Sequence, residues 1–225
     1  LPNALDFGNY VSALQTLDLF TLYKNTFFIA LCALVVEIVI TFSSAVGLTR
    51  LHYRKDPVRS GLQGFLQLGL AVSPFILLFP IYKINKFLGF SQRLSLILPY
   101  IATSISFNTL LFTAYLRTVP KELDEAALMD GCGHFRLLFQ ILLPLMKPVI
   151  STVVIMTFLR VYNDLIFSML LISDKKMATM SVALMAFKSE YDINYGGTFA
   201  AICVSVLPII AIYIAFQKQI EAGLA

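Results

Sequence analysis

Isolated polar side chains inside apolar stretches are the first residues of this chain that could take part in chemistry. Arg160 and Asp164 are four residues apart, so on a helix they share one face and can pair, which lowers the cost of charge in hydrocarbon. The pair could form a functional site or could only orient its helix. Glu37 is an isolated carboxylate that is either protonated or paired with a partner subunit. Asn108 and Asn163 could hydrogen-bond a solute or a neighbouring helix.

The familiar signatures of catalysis and metal binding are absent from the sequence. There is no G-x-x-x-x-G-K-[ST] phosphate loop and no G-x-S-x-G nucleophile turn. The three cysteines form no C-x-x-C pair, and His52 and His134 lack the spacing of metal ligands. We therefore expect no catalytic residues and no metal site, and any energy that drives the protein must come from another chain.

A second polar segment could form a short docking helix. Pro120 can open a helix because its missing N–H is not needed in the first turn, and Gly131 is a natural stop. Such a helix has about eleven residues and is roughly 16 Å long, too short to span a bilayer. Acidic residues complement its dipole, small residues allow close approach and leucines supply anchors: Glu122, Asp124, Glu125, Ala126, Ala127, Leu123 and Leu128. An alternative is a solvated helix that lies on lipid headgroups.

Composition indicates that membrane-spanning helices position these residues. Hydrophobic residues make up 58% of the chain and charged residues 13%, and the mean hydropathy is +0.81. Isolated strands cannot satisfy their backbone groups in hydrocarbon, and the runs lack the alternation of a transmembrane barrel. The sequence therefore predicts an all-α membrane protein with one bundle of transmembrane helices over 1–225. The five predicted spans are 26–49, 62–82, 94–116, 148–173 and 198–216.

The basic loop after the first span suggests an orientation. This loop carries one acidic residue, Asp56, and four basic residues, Arg50, Arg54, Lys55 and Arg59. This excess of positive charge favours a cytoplasmic location. Alternation then places the segment 117–147 inside and the segments 83–93 and 174–197 outside. The bias over all loops is weak.

The polar segment resembles the EAA loop of bacterial ABC-importer permeases. The family pattern is Glu-Ala-Ala, three residues, Gly, nine residues, Ile, one residue, Leu-Pro, and every fixed position is filled without a shift in spacing. The residues that match are Glu125, Ala126, Ala127, Gly131, Ile141, Leu143 and Pro144. Asp130 before Gly131 also fits the sugar-importer branch, and the resemblance extends from about Asn9 to Ala225.

The resemblance implies a permease subunit that imports a sugar, a di- or oligosaccharide, by alternating access. The EAA helix would be a cytoplasmic coupling helix that docks on a separate ATPase subunit, with Glu125 as the polar contact and Ala126 and Ala127 as the close-packing face. Tyr162-Asn163-Asp164 occupies the place of a Trp-Asn-acidic motif, so Tyr162 joins Asn108, Asn163 and Asp164 as a candidate for the substrate pathway. Because the chain has no tryptophan, indole stacking on a sugar cannot come from it.

Several further expectations follow from the same resemblance. The partners would be a second permease subunit, an ATPase dimer, an external solute-binding protein, the sugar and the lipid bilayer, without nucleic acid. The chain itself would bind no cofactor, since ATP and magnesium belong to the ATPase, and it would lie in the bacterial inner membrane. The segment 1–24 would be an outer segment that follows a further span, which makes six in the full chain.

Two kinds of alternative remain open on the sequence alone. Within the same family, the solute could be glycerol phosphate, a polyamine or another polar molecule. A secondary transporter would share the composition, but it would need no docking loop and would move solute when purified alone.

Overall fold

The computed structural model describes residues 8–51, 56–187 and 195–224, and within these ranges the chain is helical without a strand. The prediction of an all-α protein is therefore confirmed. Expectations that concern residues 1–7, His52 and Ala225 lie outside the described residues. In chain order the α-helices are α1 (Gly8–Thr16), α2 (Leu19–Arg50), α3 (Asp56–Ala71), α4 (Leu78–Leu88), α5 (Gln92–Thr118), α6 (Glu122–Met129), α7 (His134–Arg136), α8 (Leu143–Leu145), α9 (Lys147–Asn163), α10 (Ile166–Leu171), α11 (Met180–Ala183) and α12 (Tyr195–Leu224). A π-helix covers Leu137–Leu142, and 3-10 helices cover Lys175–Met177 and Leu184–Phe187.

Among the described residues, three helices have the length and apolarity needed to cross a membrane. They are α2, α5 and α12, with mean hydropathies of 2.4, 1.5 and 2.3 in their most apolar windows. They contain the predicted spans 26–49, 94–116 and 198–216. Pro99 and Pro208 lie inside α5 and α12 without ending either helix.

The predicted span 62–82 is wrong as a single helix. α3 ends at Ala71 and α4 begins at Leu78, and between them the N–H groups of Ile76 and Leu77 close turns onto the carbonyls of Ser73 and Pro74. The cause is Pro74, which has no N–H to donate and disfavours helical geometry at the residue before it.

The predicted span 148–173 is also interrupted. α9 ends at Asn163, and the separate short helix α10 begins at Ile166. In the part of the chain that the structure describes, one further pair of helices is long and apolar enough to form a fourth crossing together, the segment 134–145 and α9, whose axes differ by 71°. The described residues therefore support three or four crossings by length and composition instead of the predicted five.

The chain divides into two compact units, each built from separated segments. The first unit comprises 1–32, 79–99 and 158–215, and the second comprises 33–78, 100–157 and 216–225. In the first unit, an amide of Asn25 donates to the carbonyls of Lys176 and Ala178, which fastens the segment after α10 to the start of α2.

The core of the second unit is a cluster of buried apolar side chains. It combines residues of α2, α5, α6, α9 and the turn between them: Phe42, Ala45, Phe112, Leu116, Ala127, Leu137, Leu142, Met146, Val149 and Val153. Because α6 contributes only a methyl group to this cluster, the helix can lie close to the core while most of its surface stays outside.

Candidate functional site

The predicted docking helix is present as α6, but it is shorter than expected. It covers eight residues and begins at Glu122, so the prediction that Pro120 opens the helix is wrong by two positions. The carbonyl of Lys121 accepts hydrogen bonds from the N–H groups of Asp124 and Glu125 at 2.9 and 3.1 Å. Pro120 thus lies in the connection from α5, and three acidic residues still occupy the first turn of the helix.

Gly131 ends α6 in the way that the sequence predicts. Its φ angle is +77°, in the left-handed region that residues with a side chain disfavour. The N–H of Gly131 donates to the carbonyl of Leu128, and the N–H of Cys132 donates to the carbonyl of Ala127, both at 3.0 Å. This pair of bonds is a Schellman motif. A Cβ at Gly131 would meet no atom within 4 Å, so the demand for glycine is conformational and not steric.

The two alanines of α6 have different environments. Ala127 is 8% exposed and belongs to the core of the second unit, whereas Ala126, Glu125 and Asp130 are exposed. The expectation that both alanines form one outward contact face is therefore corrected, because the side chain of Ala127 points into its own subunit. Ala126 and Glu125 are the members of the Glu-Ala-Ala triplet that a partner could touch.

A buried ion pair holds α6 against the end of α2. The Nε atom of Arg50 lies 2.8 Å from Oδ2 of Asp124, and the two side chains are only 10% and 12% exposed. Burial raises the pKa of the Asp124 carboxyl above its ordinary value, while the charge of Arg50 acts in the opposite direction. Arg50 also donates from Nη2 to the carbonyl of Val119 at 2.9 Å.

The second half of the motif lies on the π-helix and on α8. The N–H of Leu143 donates to the carbonyl of Leu138, five residues earlier, as π geometry requires. This wide turn directly precedes Pro144, whose ring would crowd a carbonyl four residues back in an α-helix. Ile141 and Leu143 are half-buried against the same core as Ala127, and Pro144 is exposed. Ile141 and Leu143 therefore pack against the cluster in which Ala127 of α6 is buried.

Exposed apolar side chains occur on α6 and on the segment that follows it. Outside the long apolar helices, such a group of large side chains is typical of a surface that binds a partner. We name as the docking surface the exposed residues Leu123, Glu125, Ala126, Leu128, Met129, Phe135 and Phe139, of which Met129 and Phe135 are 88% and 79% exposed.

Asn108 lies in a buried polar cluster of the second unit. Its side chain is 3% exposed, and its amide donates to the carboxylate of Glu37 and, at 3.3 Å, to the hydroxyl of Thr157. Glu37 is fully buried. The cluster joins α2, α5 and α9 by hydrogen bonds, so the structure places Asn108 as a link between helices within its unit.

Tyr162 lies inside the first unit. Its ring is 3% exposed and packs on Phe27 and Phe158, with ring centroids 6.4 and 5.5 Å away. Its hydroxyl donates to the carbonyl of Ser205 at 2.6 Å. The ring of Tyr162 therefore packs inside its own unit, and its hydroxyl binds the backbone there.

Asn163 and Asp164 lie where α9 stops. Asn163 is exposed, and its amide donates to the carbonyl of Leu159 at 2.9 Å. The carboxylate of Asp164 accepts from the N–H of Ser168 at 3.0 Å and from its hydroxyl at 3.3 Å, which ties Asp164 to the first turn of α10. The motif thus ends one helix and starts another, and Asn163 is its exposed member.

Sequence reasoning missed two features of this region. Arg50 entered the sequence argument only as a loop charge, although the structure uses it to hold Asp124. The apolar residues Met129, Phe135 and Phe139 were not singled out, although their position beside a polar helix was a usable signal. Within the described residues no group of three or more His, Cys, Asp and Glu side chains is placed to hold a metal ion.

Comparison with known proteins gives consistent matches over nearly the whole chain. The family described as "Binding-protein-dependent transport system inner membrane component" matches residues 37–225. A probable ABC transporter permease protein of Bacillus subtilis, YurM, is 31% identical over 100% of this chain and 74% of the relative. The diacetylchitobiose uptake system permease protein NgcG of Streptomyces coelicolor is 30% identical, with the same coverage. The melibiose/raffinose/stachyose import permease protein MelC of Bacillus subtilis is 27% identical over 100% of this chain and 81% of the relative.

A solved structure shares the fold. A subunit of a bacterial ABC transporter for import of the acidic polysaccharide alginate superposes with a TM-score of 0.82 at 22% identity, and the match covers 98% of this chain and 81% of that one. A chain of the MetNI methionine ABC transporter superposes with a TM-score of 0.68 at 15% identity, over 91% of this chain and 97% of that one. At these identities the likeness shows the fold alone.

Proposed function

The chain belongs to the family of inner-membrane components of binding-protein-dependent transport systems, and on this basis we propose that it is the pore subunit of an ATP-driven importer for a di- or oligosaccharide. It is an integral protein of the inner membrane and a transport component by family. The sugar assignment draws on its relatives, because NgcG and MelC are named for diacetylchitobiose and for melibiose, raffinose and stachyose.

The observation that carries the proposal is the docking surface on and beside α6. It presents the acidic side chain of Glu125 within a group of exposed apolar residues, and α6 is attached to the core through Asp124 and Ala127. A partner that binds this surface can move α6 without unfolding it. We propose that the partner is an ATPase subunit, so ATP-driven closure of an ATPase dimer would displace α6 and the helices that support it.

Alternating access then follows from the attachment of α6. The core cluster connects α6 with α2, α5 and α9. Each of these three helices contains one of the long apolar stretches of the chain. Displacement of α6 would therefore rearrange several helices together and open the pore to the other side. ATP and magnesium would be bound by the ATPase, and this chain would need no cofactor of its own.

The full transporter would contain further chains. A second permease subunit would complete the pore, an ATPase dimer would supply energy, and an external binding protein would deliver the solute. Within this chain, Asn163 is the best candidate for contact with the solute because it is exposed at a helix break. Asn108, Tyr162 and Asp164 would support the pathway through the helices and turns that they hold.

A charge reversal tests the docking role. In proteoliposomes that contain the complete transporter, Glu125→Lys should lower the amount of co-purified ATPase subunit or the solute-stimulated ATP hydrolysis, because a cation replaces the anion at the contact. Glu122→Lys is made in parallel and places the same charge in the same first turn, so a fall that is confined to Glu125→Lys cannot come from the helix dipole. Wild-type hydrolysis and assembly in Glu125→Lys would contradict the docking role.

A solute panel tests the sugar assignment and the competing secondary transporter. Radiolabelled maltose, melibiose, diacetylchitobiose, glycerol 3-phosphate and spermidine should be offered to the same proteoliposomes with and without internal ATP. ATP-dependent uptake of a disaccharide supports the proposal. Uptake of glycerol 3-phosphate or spermidine alone would replace the sugar with another polar solute, and uptake without ATP would favour a secondary transporter.

A further inference from the structure

Arg50 is the last residue of α2, and it makes two separate contacts with the segment that carries α6. Its Nε atom lies 2.8 Å from a carboxylate oxygen of Asp124, and its Nη2 atom donates to the carbonyl of Val119 at 2.9 Å. One contact is on α6, and the other is in the connection that leads into it. Arg50 therefore fixes both the position of the helix and the direction from which the chain enters it.

The other contacts of α6 restrict its orientation less than the contacts with Arg50 do. Among the eight residues of α6, only Asp124 and Ala127 are buried. Ala127 contributes only a methyl group to the core cluster, and such an apolar contact has no preferred direction. The covalent connections run to α5 through Val119–Lys121 and onward through Gly131, and neither reaches α2.

The contact of Arg50 with Asp124 is a buried ion pair without hydrogen-bond geometry, since among the described residues Nε of Arg50 and Oδ1 of Asp124 each lack a hydrogen-bond partner. Both side chains are about nine-tenths shielded from water, so separating them would leave a charge without its partner in a poorly solvated place. The guanidinium is planar, and its hydrogen bond from Nη2 to the carbonyl of Val119 limits how far it can turn. The contact is thus costly to break and restricted in orientation.

We propose that Arg50 and Asp124 are positioning residues that make α6 and the end of α2 move as one body. The inference rests on the proposed function, since it assumes that an ATPase displaces α6. Force on the docking surface then reaches α2 through the ion pair as well as α5 through the chain. Without the pair, α6 would still dock but would move partly independently of α2.

Distance measurements on the complete transporter test the inference. Spin labels on cysteines introduced at the exposed positions Leu51 and Lys121 report the separation of the end of α2 from the start of α6. The background replaces Cys32, Cys132 and Cys203 with alanine and must retain wild-type ATP hydrolysis. Distances are recorded without nucleotide and with a non-hydrolysable ATP analogue.

In the unmodified pair the two distance distributions should coincide, because both labels move together. In Asp124→Asn the distributions should differ between the two states, and the solute transported per ATP should fall by about two- to thirtyfold, the range over which single substitutions change coupling between sites. The co-purified ATPase subunit should remain at the wild-type level. Glu122→Gln is the matched control, because it neutralises an exposed carboxylate on the same helix and should behave as wild type.

If Asp124→Asn does not assemble, the double variant Arg50→Met with Asp124→Leu takes its place, since it removes both charges and leaves none buried alone. Coincident distributions together with wild-type solute per ATP in either variant would overturn the inference. Failure of the wild-type complex to couple ATP to uptake would instead overturn the proposed function, so the two failures are distinguishable.

Discussion

The docking helix α6 and the Tyr162–Asp164 break are both polar islands in an apolar chain, but they use their polar groups differently. On α6, Glu125 is exposed, and the buried residue Asp124 forms the ion pair that attaches the helix to Arg50. At the break, the side chains of Tyr162 and Asp164 bind groups of their own unit, and Asn163 is the exposed member. A polar residue in an apolar sequence therefore indicates function only where its local hydrogen bonds leave it accessible.

The largest effect on ATP-driven uptake should come from a substitution that disrupts the turn at the end of α6. Gly131→Val places a β-branched residue at a φ of +77°, which costs about 1–2 kcal/mol and should lower ATP-driven uptake about tenfold by re-aiming α6. Gly133→Val is the control, since Gly133 lies in the same loop with a φ of −69°. Equal uptake by the two variants would show that the left-handed turn is dispensable.

The neighbouring alanines of α6 should separate anchoring from docking. Ala127→Leu overfills the core cluster and should destabilise the subunit by about 1–3 kcal/mol, seen as a lower unfolding temperature in detergent. Ala126→Leu is on the exposed side and should change stability by less than about 0.5 kcal/mol while weakening ATPase recruitment. The reverse ranking would mean that the two sides of α6 are exchanged.

Much of this contrast could be predicted from the sequence, but not all. The apolar runs predicted α2, α5 and α12, and Gly131 predicted the helix end, because both signals are local. The break at Pro74 does not follow from the sequence, which does not show whether neighbouring helices satisfy the carbonyls that a proline leaves free. The contact of Arg50 with Asp124 joins residues far apart in the chain, and no local pattern encodes it.

At the Tyr162–Asp164 break, one substitution should lower mainly stability and another mainly transport, and both should lower uptake less than Gly131→Val does. Asp164→Ala removes the acceptor of two hydrogen bonds in the first turn of α10 and should cost about 0.5–1.5 kcal/mol of stability for each. Asn163→Ala should leave the unfolding temperature nearly unchanged but raise the half-saturating solute concentration for uptake. If Asn163→Ala transports the full sugar panel normally, its amide acts only on the carbonyl of Leu159.

The smallest effect concerns the pH dependence of the anchor. Because burial raises the folded-state pKa of Asp124 above its unfolded value, the folded protein binds a proton more readily at this site. This contribution to stability is present at low pH and is lost as the pH rises through the folded-state pKa. The stability of the wild type relative to Asp124→Asn should therefore fall as the pH is raised through the carboxyl range, and a rising or flat difference would contradict the assigned environment.

The central claim is that the exposed side of α6 contacts a separate ATPase subunit. A photoreactive amino acid at Ala126 in the assembled transporter tests it most directly, with Phe199, an exposed residue of the apolar helix α12, as the control position. The account predicts a cross-link from position 126 to the ATP-hydrolysing subunit and none from position 199. Absence of that product at position 126 in a transporter that hydrolyses ATP normally would contradict the claim.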